Sequence, residues 1–285
     1  MTRDHAAPES AHQRLDHHCR VTWPAVSIRV GHSADPDDAF MVWALEAGAV
    51  DLRGLELEPV VSDIQSLNEW AVEGRLEVTA LSAGAYPAVE ERYVVLPHGA
   101  SFGEGYGPIV VARGDVDLSR VEIVTPGPLT TAKRVLHRAL GDEIRTRDLP
   151  FDEVLDEVVS GRAEAGLLIH EGQLTYADAG LTKLLDLGLW WDEHVGLPLP
   201  LGLVGIRRDV ARRDDVSAVL RDAIAAGLAN REQALAYAMQ FGRGIDQETA
   251  DRFVSMYVND LTLDMGARGR AAVTQLLGKE PEFAL

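Results

Sequence analysis

Cysteine is almost absent from the chain: Cys19 stands alone among 285 residues, so no intramolecular disulfide can form and the fold needs no oxidising compartment. Lysine is nearly as scarce, present only at Lys133, Lys183 and Lys279, and the remaining basic residues are arginines. The net charge of -18 repels phosphate backbones and anionic lipid surfaces, which argues against nucleic acid or membrane as partner. No run approaches the roughly 18 apolar residues that span a bilayer, and the N-terminal twenty residues lack the apolar core of an export signal. A cytoplasmic location is therefore the default expectation. Those first residues are polar and aperiodic, and 1–25 reads as a disordered extension. Within it Asp16 to Cys19, DHHC, holds metal-ligand types at an adjacent spacing that suits a closed site poorly.

What the chain does have is alternation of strand-like and helix-like segments. VSIRVGH reads as a strand, Asp37 to Gly48 as a helix, LELEPVVSD as a strand, Ile64 to Gly74 as a helix and VTALSA as a strand. This order implies an α/β fold with a mostly parallel sheet. A passage with five glycines, RYVVLPHGASFGEGYGPIVVARG, then leads into a second cycle. Its parts are the strand RVEIVTPG, a helix over Thr130 to Leu140, a helix over Phe151 to Ser160 and the buried strand AEAGLLIHEG. LPLPLGLVGIRR reads as an extended return, followed by helices over Asp214 to Gly242, Asp246 to Leu261 and Asp264 to Leu277. The plan is a two-lobed, cleft-closing fold, with 26–111 plus 209–285 as lobe 1 and 112–208 as lobe 2. A ligand is expected between the lobes, at strand C-termini and helix N-termini.

GHSADPDDAF puts three aspartates around Pro36 just past the first strand. Two carboxylates one residue apart suit a Mg²⁺ site or a phosphatase nucleophile. Asp35 as N-cap, Pro36 at the first helical position and acids in the first turn instead spell a helix start, and this reading is preferred. Capping leaves Ser33 and Asp38 free to face the cleft. In TPGPLTTAKRVL, a Gly-Pro turn delivers Thr130, Thr131 and Ala132 to a helix N-terminus that can hold a carboxylate or phosphate, with Lys133 as an assistant; the phosphate-loop spacing is absent. Plain capping is the competing reading.

His170 is the leading candidate for catalysis, because AGLLIHEGQLTY ends an apolar strand with an imidazole where a cleft should open. LSAGAYP offers Ser82 at another strand end without a nucleophile elbow. Trp190 and Trp191 are candidates to wall an aromatic ligand or, as buried aromatics commonly do, to pack a core. His98, His170 and His194 have no metal-type spacing, and no metal site is expected.

These blocks, SADPDDAF, LSAGAYP, GASFGEGYGP, TPGPLTTA, LLIHEGQLTY and DLGLWWDEHVGLPLPLG, stand in a recognisable order. From about Ser27 to Leu277 the chain resembles the 1,4-dihydroxy-6-naphthoate synthase family of menaquinone biosynthesis by the futalosine route. The resemblance implies a two-lobed, type II periplasmic-binding-protein-like fold and a cofactor-independent carbon-carbon lyase. It implies conversion of cyclic dehypoxanthinyl futalosine, a small carboxylate, to 1,4-dihydroxy-6-naphthoate, with the sugar-derived carbons leaving as dihydroxyacetone. It further implies His170 as general base, with Ser82, Thr131 and Ala132 at the ligand carboxylate. One block departs: where the family commonly has Ser-x-Cys-Pro-Asn-Asp-Thr-Phe, Asp35, Asp37 and Ala39 replace the Cys, Asn and Thr. Substrate choice is expected to differ there. The alternatives are a paralogue such as the chorismate dehydratase of the same pathway, a non-catalytic solute-binding protein, and a metal-dependent phosphohydrolase built on the three aspartates. The sequence leaves the oligomeric state open.

Overall fold

The computed structural model describes residues 27–242 and 244–284. The expected extension at 1–25, with Asp16 to Cys19 in it, lies outside the described residues. The strands run β1 (Ile28–Ser33), β2 (Leu57–Ser62), β3 (Val78–Ser82), β4 (Tyr93–Val95), β5 (Ser101–Gly103), β6 (Ile109–Ala112), β7 (Glu122–Thr125), β8 (Arg145–Asp148), β9 (Ala165–Leu168), β10 (Thr182–Asp186) and β11 (Leu199–Arg207). The helices are α1 (Pro36–Glu46), α2 (Ile64–Glu73), α3 (Thr131–Leu140), α4 (Val154–Val159), α5 (Gly172–Thr175) and α6 (Leu187–Val195), then α7 (Arg213–Ala229), α8 (Arg231–Ala238), α9 (Gln247–Tyr257), α10 (Asp260–Leu263) and α11 (Gly266–Leu277).

Two mixed sheets result. One has the order β2-β1-β3-β11-β4, with β5 also on β11; the other has the order β10-β6-β9-β7-β8. In the first, β1 runs parallel to β2 and β3, while β11 runs antiparallel to β3. In the second, β7 is parallel to β8 and β9, and β6 is antiparallel to β9 and β10. Strands such as β3 and β6 are buried throughout, so their sequences VTALS and IVVA read as apolar or small without alternation. This is the two-lobed plan. Strand pairing divides the chain differently from the expected 111/112 and 208/209 boundaries, however. Strand β6 pairs within the second sheet, and β11 returns to complete the first. The chain thus crosses between lobes just before β6 and again between α6 and β11.

At those crossings the backbones touch. Leu187 N donates to Pro108 O at 2.9 Å, and a Cβ on Gly188 would sit 2.0 Å from the Tyr106 carbonyl carbon. Glycine is therefore the residue that fits. One apolar cluster runs through both lobes, joining Leu81, Tyr86 and Phe102 to Val110, Ile123, Val135 and Trp191. Each such fully buried side chain contributes roughly 1.5–3 kcal/mol, so the lobes are held at their base by packing as well as by the two crossings.

Several helices end sooner than their apolar periodicity suggests. The expected helix over Asp214 to Gly242 breaks at Asn230, whose backbone leaves the helical region (φ -119, ψ 47) and whose side-chain amide donates to Ala226 O at 2.8 Å. An asparagine that bonds its own helix competes with the ladder. The helix expected over Asp246 to Leu261 stops at Tyr257, where Asn259 and Thr262 form a capping box that starts α10. The expected strand over AEAGLLIHEG ends at Leu168, because His170 takes a left-handed backbone (φ 54) and GQLT folds into α5.

Candidate active site

The cleft between the lobes encloses about 690 Å³ of free space, open solvent included. All the expected contact residues line it: Ser33 and Asp38 at the β1–α1 junction, Ser82 at the end of β3, Thr130, Thr131 and Ala132 at the start of α3, and His170 after β9. Their common address is the C-terminal end of a strand or the N-terminus of a helix, where both sheets present free backbone groups.

His170 comes from the second lobe and meets the first. Its Nδ1 lies 3.2 Å from Asp35 Oδ2, with the two side chains 17% and 2% exposed. Its Nε2 is buried and has no hydrogen-bond partner, and the ring packs edge-on against Phe151 with centroids 5.0 Å apart. A left-handed non-glycine residue is strained by roughly 1–2 kcal/mol. The Gln173 amide compensates: with its nitrogen turned toward Tyr257 Oη at 2.9 Å and Gly107 O, its oxygen accepts from His170 N at 3.2 Å. The backbone that carries the imidazole is thus locked by α5, α9 and the first crossing together.

Asp35 occupies the N-cap position of α1 in extended backbone, and Pro36 opens the helix as expected. Its side chain makes no capping bond. The carboxylate turns to His170 instead, so the capping reading of Asp35 holds for position and fails for chemistry. Asp38 accepts from Ser33 N at 2.7 Å. Asp37 is buried with Oδ1 unpartnered; burial first, then the neighbouring Asp38 and Asp35 carboxylates, push its pKa well above the usual range. Among the described residues no group of His, Cys, Asp or Glu side chains is arranged to hold a metal ion.

Opposite His170, Ser82 is fixed by a buried asparagine: Asn68 Nδ2 donates to Ser82 Oγ at 3.0 Å, and Ser82 N donates to Asn68 Oδ1 at 2.8 Å. Thr130 caps α3 by accepting from Lys133 N at 3.3 Å. Thr131 Oγ1 accepts from Gly84 N at 2.9 Å and donates to Leu201 O at 2.7 Å. Its hydroxyl is therefore a bracket between lobes, and what α3 offers a ligand is the first-turn backbone N–H groups of Thr131 and Ala132. Lys133 does not assist there, because its Nζ pairs with both oxygens of Asp148 at 2.7 Å. Trp191 is fully buried beneath the Arg138 guanidinium and Trp190 stacks on His194; neither lines the cleft. His98 is buried against Ser217 Oγ at 2.8 Å.

Sequence reasoning missed Asn68, Phe253 and Tyr257. Asn68 and Tyr257 sit on helix faces with no local mark of function, and Tyr257 reaches the cleft only because α9 folds back from the far end of the chain.

A family model described as menaquinone biosynthesis matches residues 28–281. The 1,4-dihydroxy-6-naphthoate synthase of Thermus thermophilus is 40% identical over 256 residues, which cover 89% of this chain and 93% of that protein. The enzyme of the same name from Streptomyces coelicolor is 32% identical over 261 residues, covering 89% and 92%. A crystal structure of a protein from Archaeoglobus fulgidus superposes with a TM-score of 0.85 at 45% identity, covering 88% of this chain and 96% of that one. The ligand-binding component of a Staphylococcus aureus ABC-type import system superposes at 0.66 with 12% identity, covering 88% and 91%, a likeness of fold alone. No helix among the described residues is long and apolar enough to cross a membrane. Matched by one family model from β1 to beyond α11, the chain belongs to the menaquinone biosynthesis family, an enzyme lineage carried on the periplasmic-binding-protein fold.

Proposed function

We propose that the protein is a 1,4-dihydroxy-6-naphthoate synthase, a lyase that converts cyclic dehypoxanthinyl futalosine with His170 as general base. The observation that carries this reading is the imidazole itself: Nδ1 lies 3.2 Å from Asp35 Oδ2, while the buried Nε2 has no partner within the protein. A base needs one nitrogen held by an acceptor and the other uncommitted within the protein, and that is the state of this ring. Asp35 fixes the tautomer with the proton on Nδ1 and stabilises the imidazolium that forms when Nε2 takes a proton.

The reaction then requires little else. The substrate carboxylate is held by the first-turn N–H groups of Thr131 and Ala132 together with Ser82 Oγ, a neutral cradle in which the helix dipole supplies the attraction. Ser33 and Asp38 bind hydroxyls from the first lobe. His170 Nε2 removes a proton, the electron pair left behind drives cleavage of the carbon-carbon bond to the sugar-derived carbons, the carbon that keeps the bonding pair takes the proton back, and dihydroxyacetone leaves as the remaining ring becomes aromatic. No nicotinamide, flavin or metal enters this sequence, and the substrate is a small molecule held in the cleft. Members of the same family with the same name support the substrate assignment.

The test is direct. Purified protein is incubated with cyclic dehypoxanthinyl futalosine in excess chelator without added cofactor, and products are read by mass. Appearance of the naphthoate is the expected result; unchanged substrate that nevertheless binds tightly would instead favour a solute-binding role.

A further inference from the structure

Of the three aspartates around Pro36, Asp37 is the one that the chemistry above leaves unused. It lines the cleft from the N-terminal turn of α1. The residue is more than nine-tenths enclosed, at 8% exposure, and Oδ1 has neither solvent nor partner. Each neighbouring acid is committed elsewhere: Asp35 to His170 at 3.2 Å, Asp38 to Ser33 N at 2.7 Å. An ionised Asp37 would therefore be a third carboxylate in one turn, with an oxygen sealed from water and given no donor.

We infer that Asp37 stands in the cleft as a neutral carboxylic acid and donates a hydrogen bond to the substrate oxygen that gains negative charge as His170 removes its proton. The inference rests on the lyase reading for the identity of that oxygen and extends it by giving the site an electrophile on the lobe opposite the base. No proton need leave Asp37: the substrate X–H bond breaks, the Nε2–H bond forms on His170, and the electron pair delocalises toward the oxygen that Asp37 already contacts. A preorganised donor in an enclosed site acts most strongly where charge develops. A carboxylic acid kept neutral by its surroundings can serve as that donor.

The groups that bear on Asp37 are consistent with the neutral form. On its own turn Asp38 and Asp35 repel its charge, and burial outweighs the opposing backbone N–H groups of Asp37 and Asp38. From α9, Tyr257 approaches as a neutral phenol, its own pKa raised by burial. From β1, His32 acts on Asp38, and from the second lobe His170 is engaged by Asp35. Because the folded-state pKa of Asp37 is raised, the neutral donor persists below it and is lost as pH rises through it.

Two measurements test this. In the substrate-free protein at neutral pH, the infrared carboxyl stretch of a protonated acid should be present in wild type and missing in Asp37→Asn; a difference in the carboxylate band instead would overturn the assignment, whatever the enzyme catalyses. In turnover, Asp37→Ala should lose about 10²- to 10³-fold in kcat, while Asp37→Asn, which restores a donor that does not titrate, should recover at least a tenth of wild-type kcat and move the alkaline limb of the pH profile. Equal loss in both variants, or an alkaline limb unmoved in Asp37→Asn, would overturn the donor role. Wild-type protein that binds 1,4-dihydroxy-6-naphthoate but never forms it refutes the lyase reading separately, leaving the infrared result to decide the protonation of Asp37.

Discussion

His170 Nδ1 and Asp35 Oδ2 meet at 3.2 Å across the cleft, one residue from each lobe. The contact joins the two lobes, so the proposed base is held by a carboxylate from the lobe opposite its own. An Asp–His pair of this kind controls which ring nitrogen carries the proton.

Removing the carboxylate separates positioning from binding. Asp35→Ala should lower kcat by at least about 10²-fold, with KM changed only a few-fold, since the proposed carboxylate cradle is formed by Ser82, Thr131 and Ala132 and not by Asp35. Steady-state kinetics read both constants. A variant with wild-type kcat would show that His170 needs no partner.

The bracket at Thr131 is equally open to test. Gly84 N donates to Thr131 Oγ1, and a Cβ at Gly84 would stand 3.0 Å from Thr131 Cα, against backbone that cannot yield cheaply. Gly84→Ala should displace the start of α3 at a cost of roughly 1–3 kcal/mol and raise KM by about tenfold, with a lower melting temperature. An unchanged KM would mean that the α3 N-terminus does not hold the substrate.

Acid stability should depend on His98, which is buried and does not itself line the cleft. Burial, with a contribution from Arg221, pulls its pKa down from 6.5 to about 4. The fold thus favours the neutral ring, so this stabilisation is complete above 6.5 and is lost as pH falls toward 4, a swing of at most about 3 kcal/mol. Denaturant melts of wild type and His98→Gln at pH 7 and pH 4 measure it. The variant should lose about 1–3 kcal/mol less than wild type over that range; parallel losses would contradict the assignment.

The sequence carried the site better than it carried the architecture's joints. Ser33, Asp38, Ser82, Thr130, Thr131, Ala132 and His170 all line one cleft, because strand ends and helix starts are marked locally by Gly, Pro and hydroxyl residues. Asp35 shows the limit of that logic. Its N-cap position was legible, but its partner is 135 residues away and no local pattern announces it. Lys133 is the same case: its charge suggests an anion site, but Asp148 in β8 pairs with it. The lobe crossings near Gly107 and Gly188, and the arrival of Tyr257 from α9, are likewise tertiary facts. They depend on which backbones touch, which residue periodicity does not encode.

His170 as the proposed base is tested most directly by single-turnover conversion of cyclic dehypoxanthinyl futalosine by wild type and His170→Gln, with product binding measured alongside. His170→Gln should lose about 10²- to 10⁴-fold in the chemical step, with 1,4-dihydroxy-6-naphthoate still bound within a few-fold of wild type. Turnover by His170→Gln at the wild-type rate would contradict it.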